Sequence, residues 1–146
     1  SELHDKLAKM GAELLIETLP KWFSGQIKPK VQDESQATYT KILKKEDGQI
    51  NWNKSAQVLE RQIRAFTPWP GSFCFWGNKR LKIVKAKVLD INKTEPGKVY
   101  KINDEIAVQT GENMLELERI QLEGKREMDI KEFSRGYPEF VGTKLG

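Results

Sequence analysis

The sequence holds one cysteine and one histidine in 146 residues. A single cysteine closes no internal disulfide, and a single histidine makes no metal site by itself. Cys74 lies in Ser72-Phe73-Cys74-Phe75-Trp76 with no histidine near it, so it reads as a small strand residue rather than a nucleophile. His4 reads as a solvent-facing helix residue. Long apolar runs are missing, and no stretch reads as a membrane span. No stretch has the form of a signal peptide, and a reducing cytoplasm is the simplest compartment. P-loop, GxGxxG and Ser–His signatures are absent. Glu116 and Glu118 alternate along a predicted strand and read as a solvated face rather than an acid/base pair. The residues therefore offer no recognisable catalytic set and no metal-ligand cluster.

What is abundant is charge, and it is unevenly placed. Net charge is +4. Residues 1–53 balance 8 basic against 8 acidic side chains, residues 54–101 hold 11 basic and 3 acidic, and residues 102–146 hold 6 basic and 10 acidic. A basic middle beside an acidic tail predicts a polarised surface that docks a polyanion on one face.

Along the chain, Leu3, Leu7, Met10 and Leu14 recur at helical spacing, with Glu2 and Asp5 in the first turn where the helix dipole favours acids. Leu19-Pro20 interrupts the pattern, with a further short turn through Trp22 and Phe23 closed by Ser24-Gly25. Residues 26–52 read as a linker, polar and aperiodic around Gln32–Gln36. A second helix is predicted from Ser55, as N-cap, to Phe66. The stretch Thr67-Pro68-Trp69-Pro70-Gly71 then turns helix into strand: Pro68 forces Thr67 out of the α region, and Pro70-Gly71 makes a turn. Trp69, held between two prolines, is placed to cover the core. Strands are predicted at 72–76, 80–89, 98–102, 105–110 and 114–122, separated by Gly, Asn and Pro turns. Asp129 and Glu132 form a capping-box pattern for a short helix through Phe133. The fold class is mainly β with flanking helices. Five short strands after a helix fit a small five-stranded OB-like barrel, here preceded by a linker and an N-terminal helix.

Four blocks carry a family resemblance, in the family's order: Leu3-His4-Asp5-Lys6-Leu7-Ala8, Gln32-Asp33-Glu34-Ser35-Gln36-Ala37-Thr38-Tyr39, Lys45-Glu46-Asp47-Gly48-Gln49-Ile50-Asn51-Trp52 and Arg61-Gln62-Ile63-Arg64-Ala65-Phe66-Thr67-Pro68-Trp69-Pro70-Gly71. Together they resemble the C-terminal portion of methionyl-tRNA formyltransferase. The resemblance implies that residues 1–25 are the terminal helix of a catalytic domain otherwise absent here, that 26–52 are the linker, and that 53–146 are a C-terminal OB-like domain that helps bind initiator tRNA. It implies 10-formyltetrahydrofolate as formyl donor for the whole enzyme and no cofactor in this chain, since no stretch matches the family's Asn-His-Asp catalytic set. Two positions depart from the family's pattern: Asn51 stands where an Asp is usual, and Val58 where a Glu would complete a capping box.

The resemblance and the charge pattern converge on one face. Lys79-Arg80-Leu81-Lys82-Ile83-Val84-Lys85-Ala86-Lys87 interleaves cations with apolar residues, so the apolar side chains hold the strand to the core while the cations project outward. Arg61 and Arg64 lie three apart on the second helix, where pairing with Glu60 competes with phosphate contact. The candidate nucleic-acid-binding residues are therefore Arg61, Arg64, Lys79, Arg80, Lys82, Lys85 and Lys87, contacting tRNA through charge and shape. Phe73, Phe75 and Trp76 would stack on bases only if exposed. The competing reading is a packing domain of a related formyltransferase acting on a sugar amine or folate, its surface lysines serving solubility. The stripe on the first helix, lacking a partner in this chain, is expected to self-associate or to pack on the absent catalytic domain.

Overall fold

The computed structural model describes residues 2–146. They fall into two compact units, one ending at Ile42 and the other covering Leu43–Gly146.

The first unit is built on helix α1 (Glu2–Phe23), with Glu2 and Asp5 in its first turn and Lys21 in its last. Ion pairs one turn apart, Lys6–Glu2 at 2.8 Å and Lys21–Glu17 at 2.7 Å, line its polar side. The expected interruption at Leu19-Pro20 does not occur. Pro20 forfeits one backbone donor, and its own carbonyl still accepts from the N–H of Ser24 at 3.1 Å. Gly25 ends the helix in the left-handed conformation. Leu3, Leu7, Met10 and Leu14 are all exposed, and no residue of α1 is buried.

The second unit begins before the predicted second helix. Ile50 and Trp52, on the segment read as the end of the linker, are buried in its core. Ile50 donates its backbone N–H to Phe73 at 2.7 Å, and Gly48 approaches Gly71 so closely that an added Cβ would lie 2.1 Å from the Gly71 carbonyl oxygen. Asn51 uses its side-chain oxygen to accept the N–H of Asn53 at 3.0 Å, a local turn that an Asp would make equally well. Helix α2 (Ala56–Phe66) follows, capped by Ser55, and buries Ala56, Leu59 and Ile63. Thr67 leaves the helix in extended conformation, as the residue before a proline must. Trp69, expected in the core, is instead 55% exposed. The Gly71 N–H bonds back to the Phe66 carbonyl, so residues 67–70 form a protruding loop with Trp69 on it.

Six antiparallel strands form one sheet: β1 (Ser72–Trp76), β2 (Lys79–Leu89), β3 (Val99–Ile102), β4 (Glu105–Gln109), β5 (Met114–Leu122) and β6 (Glu127–Asp129), in the order β1-β2-β5-β4-β3 with β6 added to β5. The expected five-stranded barrel is not confirmed. A sixth strand, too short to show alternation, follows the Gly124 turn, and no strand pairing closes β1 onto β3 among the described residues. Both outer edges are nonetheless met by the segment 142–146. Gly142 donates to Val99 and Leu145 to Gly97 beside β3, while Gly146 exchanges two backbone bonds with Phe75 of β1, each at 2.8–2.9 Å. Consecutive residues reach both edges, so the sheet is strongly curled.

Helix α3 (Ile130–Gly136) is capped by Asp129, which accepts the Lys131 N–H at 2.8 Å. It runs one turn past the expected end at Phe133. Glu132 pairs with Arg126 at 2.9 Å rather than completing a capping box. Phe133 and Phe140 are fully buried and meet Trp76 edge-on, with centroids 5.7 and 5.3 Å away. Trp76 is thus core packing, which removes it from the set of base-stacking candidates.

Candidate nucleic-acid interface

Alternation along the β1–β2 hairpin decides which side chains share a face. Cys74 and Leu81 are opposite one another and buried, so their neighbours on each strand face outward. Those neighbours are the cross-strand pairs Phe73–Lys82 and Phe75–Arg80. Lys79 alternates with Arg80 and so lies on the other side of the strand, exposed at the hairpin end.

Beyond Ile83 a strict alternation would bury Lys85 and Lys87. Register shifts in the β2–β5 ladder, between Ile83 and Lys85 and between Lys85 and Ala86, prevent this. Val84 is passed over, and Ala86 and Val88 take up the core side opposite Leu117 and Leu115. Arg80, Lys82, Lys85 and Lys87 therefore share the outer face.

The outer face is not uniformly basic. Lys87 pairs with Glu116 at 2.9 Å and Lys85 with Glu118 at 2.7 Å. The hydrogen bond from Lys87 to Glu116 raises the ammonium's pKa above its ordinary value. Glu116, expected on a wet face, has a side chain only 5% exposed. It lies at the floor of a shallow groove shared with Lys85, Lys87, Glu105, Glu118 and Lys131. Glu105 in turn pairs with Lys131 at 2.9 Å, which lowers the pKa of that carboxyl. The far half of β2 is thus neutralised by acids from β5. Counting charges along the sequence misses this, because the partners lie about thirty residues downstream.

Arg64 is also engaged, binding Glu60 through both Nε (2.9 Å) and Nη2 (3.2 Å), which raises its pKa. Four of the seven candidates remain without a carboxylate partner among the described residues: Arg61, Lys79, Arg80 and Lys82. Arg80 sits over the Phe73 ring, 3.6 Å from its centroid, and its backbone N–H donates to Glu123 at 3.1 Å. The stem of Lys82 crosses Gly71, where an added Cβ would lie 2.7 Å from Lys82 Cε; Gly71 has φ +78°. The structure thus separates a paired group (Arg64, Lys85, Lys87) from an unpaired one, and sets Lys82 against the end of the loop that carries Trp69, with Arg80 two residues away on the same face of β2. Alternation places Phe73 and Phe75 on the outer face, but Phe73 is buried there, with Arg80 over its ring, and so leaves the set of base-stacking candidates, while Phe75 is 38% exposed; no sequence signal marks Trp69 as exposed.

Cys74 is buried, and burial pushes its thiol up to about 12. Among the described residues no group of three or more His, Cys, Asp or Glu is arranged to hold a metal ion. No helix among them is long and apolar enough to cross a membrane.

Comparison with known proteins accords with this architecture. The family model "Formyl transferase, C-terminal domain" matches residues 42–138. A methionyl-tRNA formyltransferase from Caldanaerobacter subterraneus subsp. tengcongensis is 44% identical over 144 residues, covering 98% of this chain and 47% of that protein. The enzyme of the same name from Chloroflexus aurantiacus is 45% identical over 130 residues, covering 87% of this chain and 42% of that protein. The chain thus spans a little under half the length of these relatives. A crystal structure of a HypX variant from Aquifex aeolicus shares the fold, with TM-score 0.62 at 16% identity over 90% of this chain and 24% of that one. On the family match, which spans most of the chain and all six strands of its sheet, the chain belongs to the formyl transferase C-terminal domain family.

Proposed function

We propose that this chain is the tRNA-binding C-terminal region of a methionyl-tRNA formyltransferase. In the whole enzyme it would help present the methionyl end of initiator tRNA to an upstream catalytic domain that uses 10-formyltetrahydrofolate. The observation that carries the reading is the set of cations whose side chains form no ion pair among the described residues, Arg80 and Lys82 on the outer face of β2 together with Arg61 and Lys79, on a chain 44–45% identical to enzymes of that name. Cations that the protein does not neutralise are free to displace counterions from phosphate. No stretch resembles the family's catalytic set, and the reading has the chain alone bind without turning over. Residues 1–25, 26–52 and 53–146 are proposed as domain-end helix, connector and binding domain, the stretch 43–52 of the connector packing with the binding domain. The curled sheet, with its outer edges met by one tail, supports an OB-like description of the last. The exposed stripe of α1 is assigned to the upstream domain, with self-association as the outcome that sedimentation would reveal instead. The compartment is the cytoplasm.

An electrophoretic shift with initiator tRNA at low and at moderate salt tests this. A shift at low salt that weakens as salt rises supports it; no shift at low salt overturns it. The ion pairs of Lys85 and Lys87 favour a second reading for that half of β2, a packing surface of a formyltransferase acting on a sugar amine or folate. Under that reading no tRNA binds at any salt.

A further inference from the structure

We propose that the loop tip at Trp69, with Phe75, Arg80 and Lys82, holds an unpaired nucleotide of the RNA by stacking its base on the Trp69 indole. This deepens the tRNA reading of the same face and rests on it.

The first observation is the exposure of Trp69. More than half of a large apolar side chain stands in solvent on a loop where two prolines flank it. Proline on both sides restricts the backbone, so the ring is presented with little conformational freedom left to lose on binding. The second observation is what surrounds it. Two residues span at most about 7 Å, so Trp69 is within that reach of Gly71, over which the Lys82 stem lies. Arg80 follows on the same face of β2, its guanidinium already over the Phe73 ring. Phe75, opposite Arg80, is 38% exposed, and its ring meets Phe73 edge-on at 5.8 Å. Among the described residues the side chains of Arg80 and Lys82 form no ion pair, the Glu123 carboxylate being taken by the Arg80 backbone N–H, whereas Lys85 and Lys87 further along the strand are paired.

An exposed aromatic beside unpaired cations matches a polyanion that also carries flat apolar faces. Single-stranded nucleic acid is such a ligand: bases stack on aromatics while phosphates meet the cations. Paired RNA keeps its bases inside the helix and offers this loop only backbone. The occupant is therefore an unpaired stretch of RNA, not a duplex arm.

The test uses the 146-residue chain with two probes, a twelve-nucleotide oligouridylate and a blunt RNA hairpin of matched charge. Trp69→Ala should weaken the oligouridylate about tenfold and leave the hairpin within about twofold. Trp69→Phe, which keeps a ring, should restore most of the loss. Emission from the wild-type chain should be quenched on adding oligouridylate, and Trp69→Phe, which retains the other three tryptophans, should lose that quenching. Unchanged affinity of Trp69→Ala for oligouridylate overturns the stacking proposal, as does an equal loss for both probes. If Trp69→Ala melts early, absence of quenching in the wild-type chain overturns it on its own. Failure of the wild-type chain to bind either probe is a different result: it overturns the RNA reading of the face, and the stacking proposal with it.

Discussion

The guanidinium carbon of Arg80 rests 3.6 Å from the centroid of the Phe73 ring, diagonally across the β1–β2 hairpin. The cation is held in place by an aromatic face rather than a carboxylate. Its charge is therefore positioned but not cancelled, in contrast to Lys85 and Lys87 a few residues on. That contrast makes the two halves of β2 separable by mutation.

Replacing Arg80 and Lys82 together by Ala should flatten the salt dependence of tRNA binding by about two contacts, each contributing a slope of roughly 0.7 to 0.9 in log K against log salt. The same change at Lys85 and Lys87 should leave the slope nearly unaltered, because those ammoniums already sit on glutamates. Filter binding at four or more salt concentrations measures both. Equal flattening by the two double variants would show that the ion pairs open for RNA and that the division drawn here is wrong.

Lys87→Ala should destabilise the fold more than Lys85→Ala. The first removes the partner of a carboxylate that is nearly buried, the second that of a carboxylate still 27% exposed. Leaving Glu116 without its ammonium should lower Tm by a few degrees. Thermal melts at neutral pH decide this; indistinguishable melting points would mean that Glu116 finds water or another donor.

Gly48→Ala should cost about 1–3 kcal/mol, because its Cβ would collide with backbone, the Gly71 carbonyl, rather than with a side chain able to swing away. Gly136→Ala, with open space at the same position, should stay within about 0.5 kcal/mol of the parent. Urea midpoints report both. A harmless Gly48→Ala would imply that residues 43–52 are not fastened to the sheet.

Cys74 gives the fold an alkaline signature. Its folded pKa of about 12 exceeds the ordinary 9.0, so between those values the folded chain keeps a proton that the unfolded chain has released. Stability then falls as pH rises from 9 toward 12, and the thiol adds no pH dependence below 9. Cys74→Ala should remove that part of the decline, seen as a shallower slope of Tm against pH above 9. Rapid reaction of the native thiol with a disulfide reagent at neutral pH would contradict the burial on which this rests.

Much of the second unit was legible from sequence, for physical reasons that name its exceptions. Helix α2 announces itself through the Ser55 cap and the spacing of Leu59 and Ile63, and the long strands through turn residues and runs of β-formers. The strand β6 carries neither signal, because Glu127-Met128-Asp129 is held by pairing with residues 119–121 and not by any preference of its own. Trp69 was misplaced because hydrophobicity says what a side chain would gain from burial, and two flanking prolines decide where the backbone lets it go. Lys85 and Lys87 were legible as outward-facing only by neglecting alternation; the shifted register that makes them so lies in the pairing of β2 with β5. Their neutralisation by Glu118 and Glu116 is likewise a property of the ladder.

The backbone bonds made by residues 142–146 have a bearing on solubility. The outermost strands of an open sheet offer unpaired donors and acceptors to any other chain in extended form. Here Gly142 and Leu145 occupy that position beside β3, and Gly146 beside β1. Five residues thus act as a guard on both flanks of the sheet at once. Their detachment would uncover the β3 edge together with the part of β1 beyond Phe73, the residue that Ile50 still covers, and would open a route to intermolecular strand addition.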